Sequence, residues 1–243
     1  MTIEKNNIAE KFLLDIHTHS LINGHAYGTI HEMAYAAKEK GLELLGISEH
    51  GPGIPGTCEP IYFSNLAMAP RKLYGVNIMY GCEINVLNDG TLSLQKYLDC
   101  LDYAIVGIHS MYYENAGIEK NTENVISCMK NEKVFFVSHP DDDHTPLNYE
   151  RLVLAAKKNH VALELNNSSL IKQDQRWNCV ENYKKMLSLC QQFEVPVIVN
   201  SDAHAPEYVG RFSEAIELLT EMGFNQNLLL NTSIEKFKKF INA

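Results

Sequence analysis

Basic residues are in the minority: 21 Lys and Arg stand against 30 Asp and Glu, a formal net charge of −9 over 243 residues. Extended nucleic acid needs clustered positive charge, so no general nucleic-acid partner is expected. No apolar run is long enough to span a bilayer, and the N-terminal stretch Met1–Asn7 lacks the apolar core of a secretion signal. No membrane partner and a cytoplasmic location are therefore expected. The six cysteines include no C-x-x-C pair. That excludes a zinc knuckle and argues for reduced, structural thiols over a disulfide framework. With no internal repeat, low-complexity run or polar linker, residues 1–243 read as one domain.

What is present alternates. Short runs of β-branched and aromatic residues are separated by stretches with helical periodicity. Strands are expected at Phe12–Ile16, Leu44–Ser48, Val76–Val86, Ala104–Ile108, Val134–Val137, Val161–Leu165 and Val195–Val199. Thr29 is placed to cap a helix from Ile30 to Lys40, with Gly41 as its stop. Further helices are expected at Thr122–Lys130, Tyr149–Asn159, Asn178–Gln192, Ser213–Met222 and Ile234–Ile241, with a helical stretch at Leu94–Leu101. Leu66–Leu73 reads as a short helix or irregular chain, Gly51–Gly56 as loop, and Asn88-Asp89-Gly90 as a hairpin turn. Apolar strands alternating with helices give a parallel sheet, open or closed.

The polar residues decide between those two. Asp15-Ile16-His17-Thr18-His19 ends the first strand, and strand alternation puts His17 and His19 on one face with Asp15 below them. Such a pair either chelates an ion or caps a strand by hydrogen bonding. The feature then returns: His50, Glu83, His109, His139, Asn166, Asp202 and His204 also fall at or just past strand C-terminal ends. All seven strands contribute. The edge strands of an open sheet cannot reach one site, whereas the strand ends of a barrel converge on one mouth. An α/β fold with a seven-stranded βα barrel is therefore expected. Adding His25 from the following loop gives seven histidines and two acids, more than one four-coordinate ion can use, so two or three metals are inferred. Taken singly, His25 reads as a surface residue, and His50 and His139 read equally well as caps. Glu83 sits in an apolar strand, where an unpaired carboxylate is costly, and its two oxygens suit it to bridging. His31 and His160 read as solvated or capping residues, and His144 lies beyond the mouth at strand five, where contact with substrate is the lesser of its two readings.

The motifs Asp15-x-His17-x-His19, Glu49-His50-Gly51-Pro52, Gly81-x-Glu83, His109, Ser138-His139-Pro140, Glu164-x-Asn166-Asn167-Ser168 and Ser201-Asp202-x-His204 resemble the PHP superfamily (polymerase and histidinol phosphatase). His25-Ala26-Tyr27 is most similar to its YcdX-type phosphatase branch. The resemblance runs from about Leu14 to beyond Asp202. It implies a distorted seven-stranded TIM-like barrel holding three divalent ions. One would rest on His17, His19, Glu83 and Asp202, a second on Glu83, His109 and His139, and a third on His25, His50 and His204. It also implies that Arg71 is a basic residue near the substrate mouth. Two departures stand out: Glu49 replaces the Asp usual before the metal-binding His, and Asp141-Asp142-Asp143 replaces a Gly-containing stretch, which makes the mouth more acidic. Asp15, assigned no ion, is expected to orient a ligand histidine.

The activity so implied is metal-dependent phosphoester hydrolysis, foremost of monoesters. Two close ions bring the pKa of a water toward neutrality and supply hydroxide as nucleophile, while a third binds a phosphate oxygen. Glu83, His109 and Asp202 are the expected catalytic residues. Arg71 would pair a substrate anion or stand as an ordinary surface charge, and Asn166 would orient a ligand or the substrate or else close a strand end by hydrogen bonding. Zinc suits the histidine-rich set, and manganese or iron also fit mixed imidazole–carboxylate sites. The expected partner is a small phosphorylated molecule. Two other readings stay open: a phosphodiesterase or exonuclease on short nucleotides, and a metal-binding regulatory module without turnover. Apolar residues on the outer helices leave a homo-oligomer open as well.

Overall fold

A computed structural model describes residues 12–242, so the stretch Met1–Asn7 lies outside the described residues. The strands are β1 (Leu14–Asp15), β2 (Leu44–His50), β3 (Lys72–Leu73), β4 (Val76–Asn85), β5 (Tyr103–Gly107), β6 (Val134–Val137), β7 (Ala162–Asn166) and β8 (Val197–Asn200). The helices are α1 (Ile30–Glu39), α2 (Ile61–Ser64), α3 (Ile118–Cys128), α4 (Tyr149–Asn159), α5 (Asn167–Ile171), α6 (Cys179–Phe193), α7 (Ser213–Glu221) and α8 (Ile234–Ile241). Seven strands pair in parallel, in the order β1-β2-β4-β5-β6-β7-β8, and curl into a nearly closed barrel. β3 lies outside the barrel. It pairs antiparallel with the start of β4 through a turn at Tyr74 and Gly75, both at positive φ. The irregular segment expected there thus contains an edge strand.

Period-two alternation sorts the side chains into two cores. Leu45 and Ile47 of β2, with Ile78, Tyr80, Cys82 and Ile84 of β4, face the helices and pack with residues such as Met33, Leu152 and Met186. Leu14, Leu44, Tyr103, Ile105, Phe136 and Ile198 fill the barrel interior, and Leu230, Phe237 and Phe240 close its far end. Tyr103 crosses the interior and donates its hydroxyl to the Ile16 carbonyl at 2.6 Å. Only glycine fits beneath it, because a Cβ at Gly46 would lie 2.1 Å from its hydroxyl and one at Gly81 would lie 2.6 Å from its ring.

Closure between β1 and β8 rests on backbone contacts and on bridging side chains, among them Asn200, whose Oδ1 accepts from the Ile16 N–H at 3.0 Å, and Asp15, which accepts from Ser201. Near the mouth, Thr18 bridges Ala203, and the His19 N–H reaches the Ala203 carbonyl at 2.8 Å. Deeper down, the buried side chain of Asn231 stands in for a strand. Its amide donates to the carbonyls of Leu14 (2.9 Å) and Val199 (2.7 Å), and its oxygen accepts from the Val199 N–H at 2.7 Å.

Several helices match their expected bounds closely. Thr29 and Glu32 form a capping box at the start of α1. α3 begins at Ile118, before the expected Thr122, because its first turn, Glu119-Lys120-Asn121, is polar and carries no apolar period. The Leu94–Leu101 stretch is a 3-10 helix over Gln95–Cys100. α5 had no apolar signal; the Asn166 side chain caps it by accepting from the Ser169 N–H at 3.1 Å.

Candidate metal centre

The mouth is built around Glu83. His17 Nε2 lies 3.2 Å from Glu83 Oε2 and 3.5 Å from Asp202 Oδ1; His19 Nε2 lies 3.6 and 3.2 Å from the same two atoms. Four ligand atoms on a tetrahedral ion, each at about 2.0–2.1 Å, stand about 3.3 Å apart. These distances match that spacing. His17 Nε2, His19 Nε2, His50 Nδ1, Glu83 Oε2 and Asp202 Oδ1 are buried, yet none makes a hydrogen bond. Buried polar atoms without partners are costly. A divalent cation would satisfy this set, so the residues present fit such an ion.

The other oxygen of Glu83 faces a second group. Oε1 lies 3.3 Å from His109 Nε2 and 2.8 Å from His139 Nε2, and it accepts from Ser138 Oγ at 2.8 Å. Glu83 therefore spans two sets of imidazoles. The third expected set assembles differently. Donor nitrogens of His50 and His204 converge with that of His19, whereas His25 lies ring against ring on His50 at 5.2 Å and on His204 at 5.0 Å. His50 also points its Nδ1 at Glu83 Oε2, 2.9 Å away.

A further layer of side chains aims these ligands. Glu164 Oε1 lies 2.7 Å from His17 Nδ1, Asn23 Nδ2 lies 2.9 Å from His19 Nδ1, and Asn85 Oδ1 lies 2.7 Å from His109 Nδ1. Glu164 also accepts from the His139 N–H (2.8 Å) and from the amides of Asn166 (3.0 Å) and Asn200 (2.8 Å). Such partners fix ring orientation and ligand basicity. His139 and Asp202 occupy positive φ, 28° and 52°, a conformation that costs a non-glycine residue of order 1–3 kcal/mol and gathers at functional sites.

Charge follows this geometry. Burial raises the Glu83 carboxyl, but His17, His109 and His50 more than reverse that and hold it well below the usual carboxylate range. Asp202 is held low in the same way, with His17 foremost against burial. Both are thus charged, as ligation requires. Burial pushes Glu49 up to about 8 against hydrogen bonds from Ser20. Glu49 takes the place of the expected Asp by gripping the Asn23 amide at 2.6 Å, and Asn23 in turn accepts from the His50 N–H at 3.1 Å.

Two expectations are corrected, for Arg71 and Asp15, and two are narrowed, for Asn166 and the acidic run. Arg71 is not brought to the mouth: it pairs with Asp102, lies over the Tyr80 ring at 5.2 Å, and its carbonyl bonds Ile78 near the start of β4. Asp15 orients no histidine. β1 stops at Asp15, so alternation breaks before His17, and Asp15 instead binds Ser201 (Oγ at 2.5 Å) and the Gly210 N–H at 2.9 Å. The orienting acid is Glu164, which sequence reading left without a role. Asn166 is fully buried, caps α5 and reaches Asp202 Oδ2 at 3.3 Å, so it positions a ligand and does not face substrate. The acidic run is largely consumed internally: Asp141 pairs with Arg176, Asp142 accepts from His144 and Trp177, and Asp143 accepts from Asn178 and Asn182. Arg176 was missed because it lies far along the chain in an irregular segment.

Of the remaining histidines, His31 and His160 behave as read. His31 is exposed on α1, and His160 ends α4 in the left-handed region, its ring bonded to the Phe240 carbonyl at 2.9 Å. His144 stacks on Trp177 at 4.0 Å. All six cysteines are free, and Cys82 packs toward the helices, away from the ligands. A cavity of about 400 Å³ opens beside His50, His109 and His139, walled by Ile54, Met111 and Leu147 and edged by Arg176 and Asp142.

Glu164→Gln keeps the shape of the side chain and removes its charge. Metal affinity, titrated against a competing chelator, is expected to fall about 10–100-fold. Unchanged affinity would show that Glu164 acts on packing alone.

A βα barrel whose strand ends gather histidines and carboxylates suited to divalent metals defines the class of protein. The chain belongs to the PHP domain family, which matches residues 15–222. It is 38% identical over 233 residues to a "probable phosphatase" of Acetivibrio thermocellus and 37% identical over 234 residues to one of Thermoanaerobacter sp.; each match covers 95% of both chains. In structure it is similar to the histidinol phosphate phosphatase of Lactococcus lactis, solved with zinc, L-histidinol and phosphate, at a TM-score of 0.61 and 16% identity. That match covers 87% of this chain and 94% of the other. A chain of archaeal ribonuclease P matches at a TM-score of 0.58 and 15% identity, covering 94% of this chain and 90% of the other. At these identities the two structures bear on the fold alone.

Proposed function

We propose that the chain is a metal-dependent phosphatase that hydrolyses small phosphate monoesters at a three-ion centre, with zinc as the best-suited metal. The observation that carries this is the convergence of five buried, unbonded donor atoms, Glu83 Oε2 among them, within a family whose similar members are named probable phosphatases. Divalent ions bound there would supply Lewis acidity toward phosphoryl oxygens and acidify water.

The chain's own residues do the rest. Glu83, ionised and shared between two imidazole groups, fixes their separation. Glu164, Asn23 and Asn85 lock three rings in place, so little reorganisation accompanies reaction. His109 places its Nε2 3.3 Å from Glu83 Oε1 and also lines the 400 Å³ cavity. The apolar walls of that cavity take the alcohol portion of a substrate and exclude water around it. Arg176 is spent on Asp141 and on the His139 carbonyl (2.9 Å), so it braces a ligand strand end and leaves phosphate to the centre.

Elemental analysis of purified, reconstituted protein is expected to give two to three zinc ions per chain, as the ligand count requires. An aryl phosphate monoester is expected to turn over faster than the matching diester. Preference for the diester would shift the reading to a phosphodiesterase, and full metal occupancy without any turnover would shift it to a regulatory module.

A further inference from the structure

We infer that a second cavity, on the other flank of the metal centre, is a subsite for a second anionic group of the substrate, a phosphate or a carboxylate. It rests on the phosphatase reading for the position of the reacting group. The cavity holds about 200 Å³ and reaches Asp202 and His204 from the side of α5 and of Tyr208 and Arg211. It shares no lining residue with the larger cavity beside His50, His109 and His139. A substrate seated on the ligand cluster by its phosphoryl group thus meets two separate spaces.

The two spaces differ in charge. The larger is lined by Asp141 and Asp142, and its one Lys or Arg side chain, Arg176, is committed to Asp141. The smaller is lined by Lys172 and Arg211, with the hydroxyls of Ser168 and Tyr208 beside them. Lys172 makes no ion pair or side-chain hydrogen bond among the described residues, and neither do the hydroxyls of Ser168 and Tyr208. Arg211 gives one bond to Glu214 at 2.7 Å, whose oxygens also accept from Ser213 and Asn167. The only carboxylate on the lining is Asp202, whose Oδ1 is directed at the ligand cluster. Two cations and two unspent hydroxyls next to a phosphoryl-binding centre suit an oxyanion, and a lysine with free donors is a point-charge phosphate or carboxylate binder.

Propyl phosphate and its ω-carboxylate and ω-phosphonate analogues isolate the effect, since each carries one hydrolysable phosphate ester and the P–C bond of the phosphonate does not hydrolyse. The wild-type protein is expected to show a KM at least tenfold lower for the two ω-anions than for propyl phosphate. Lys172→Met, and separately Arg211→Met, should raise KM for the ω-anions about tenfold more than for propyl phosphate, with kcat moving little. Calorimetric binding of the three compounds reads the subsite without turnover. A preference for only one ω-anion identifies which group the subsite takes. Equal affinity for all three compounds, or equal effects of the substitutions on all three, would overturn the subsite while leaving the phosphatase reading in place. Binding that discriminates by Lys172 without any turnover would overturn the phosphatase reading and keep the subsite.

Discussion

Glu83→Gln is expected to lower phosphatase turnover by about a thousandfold, the scale on which loss of one charge-stabilising group acts, while the barrel stays folded. Glutamine fills the same volume, so packing around Gly107 and Ser138 changes little. What it loses is the charge and one acceptor. Three imidazoles, His17, His19 and His50, now meet at Oε2, and His109 and His139 meet at Oε1. An amide offers one of those groups an N–H where each imidazole already needs an acceptor or an ion. Zinc content measured on the same sample should fall, and circular dichroism should show the native helices. Arg71→Met serves as the contrast: its ion pair with Asp102 lies away from the cluster, so turnover is expected at the wild-type level. Full activity in Glu83→Gln would place the reaction elsewhere; lost activity in Arg71→Met would restore Arg71 to the mouth.

The side chains that cluster at the mouth were legible in sequence because a parallel barrel sends every strand end to one rim. His50, Glu83, His109, His139 and Asp202 needed only strand boundaries to be found. The residues that aim them were less visible. Asp15 looked like the orienting acid because it lies two positions before His17, but a strand that ends at Asp15 no longer dictates which way His17 faces. Glu164 does that work from β7, across the barrel, at a sequence separation that no local period reports. Asn166 has the same character. Its place at a strand end suggested contact with substrate, whereas the short helix that follows required a cap, and the buried amide serves both the helix and Asp202. Arg71 and Arg176 could be ranked only by the path of the chain. Arg71 lies on the edge-strand turn near the start of β4, and Arg176 crosses from an irregular segment to the mouth. His25 reached the rim as the resemblance implied, yet its ring stacks on His50 and His204 while His19 supplies the nitrogen that converges with theirs.

Asn231→Ala is expected to cost about 4 kcal/mol of folding stability, although Asn231 lies far from the ligands in sequence and bonds none of them. The gap between β1 and β8 has no strand to fill it, and the Asn231 side chain supplies the missing ladder. Alanine leaves the Leu14 and Val199 carbonyls and the Val199 N–H without partners in a fully buried place. Each such group costs about 1–3 kcal/mol, and partial relaxation keeps the total below their sum. A domain stable by only about 5–15 kcal/mol feels a loss of that size. Urea unfolding of the metal-free protein should show it as a lower midpoint at unchanged slope. The loss should carry to the mouth. His17 and His19 hang on the continuation of β1, and Asp202 on that of β8, so loosening this seam parts the atoms whose spacing suits one ion. Metal affinity should therefore fall along with stability. A variant with unchanged urea midpoint would mean that backbone groups on either side of the gap find each other without the amide, and that the barrel closes at this seam without Asn231.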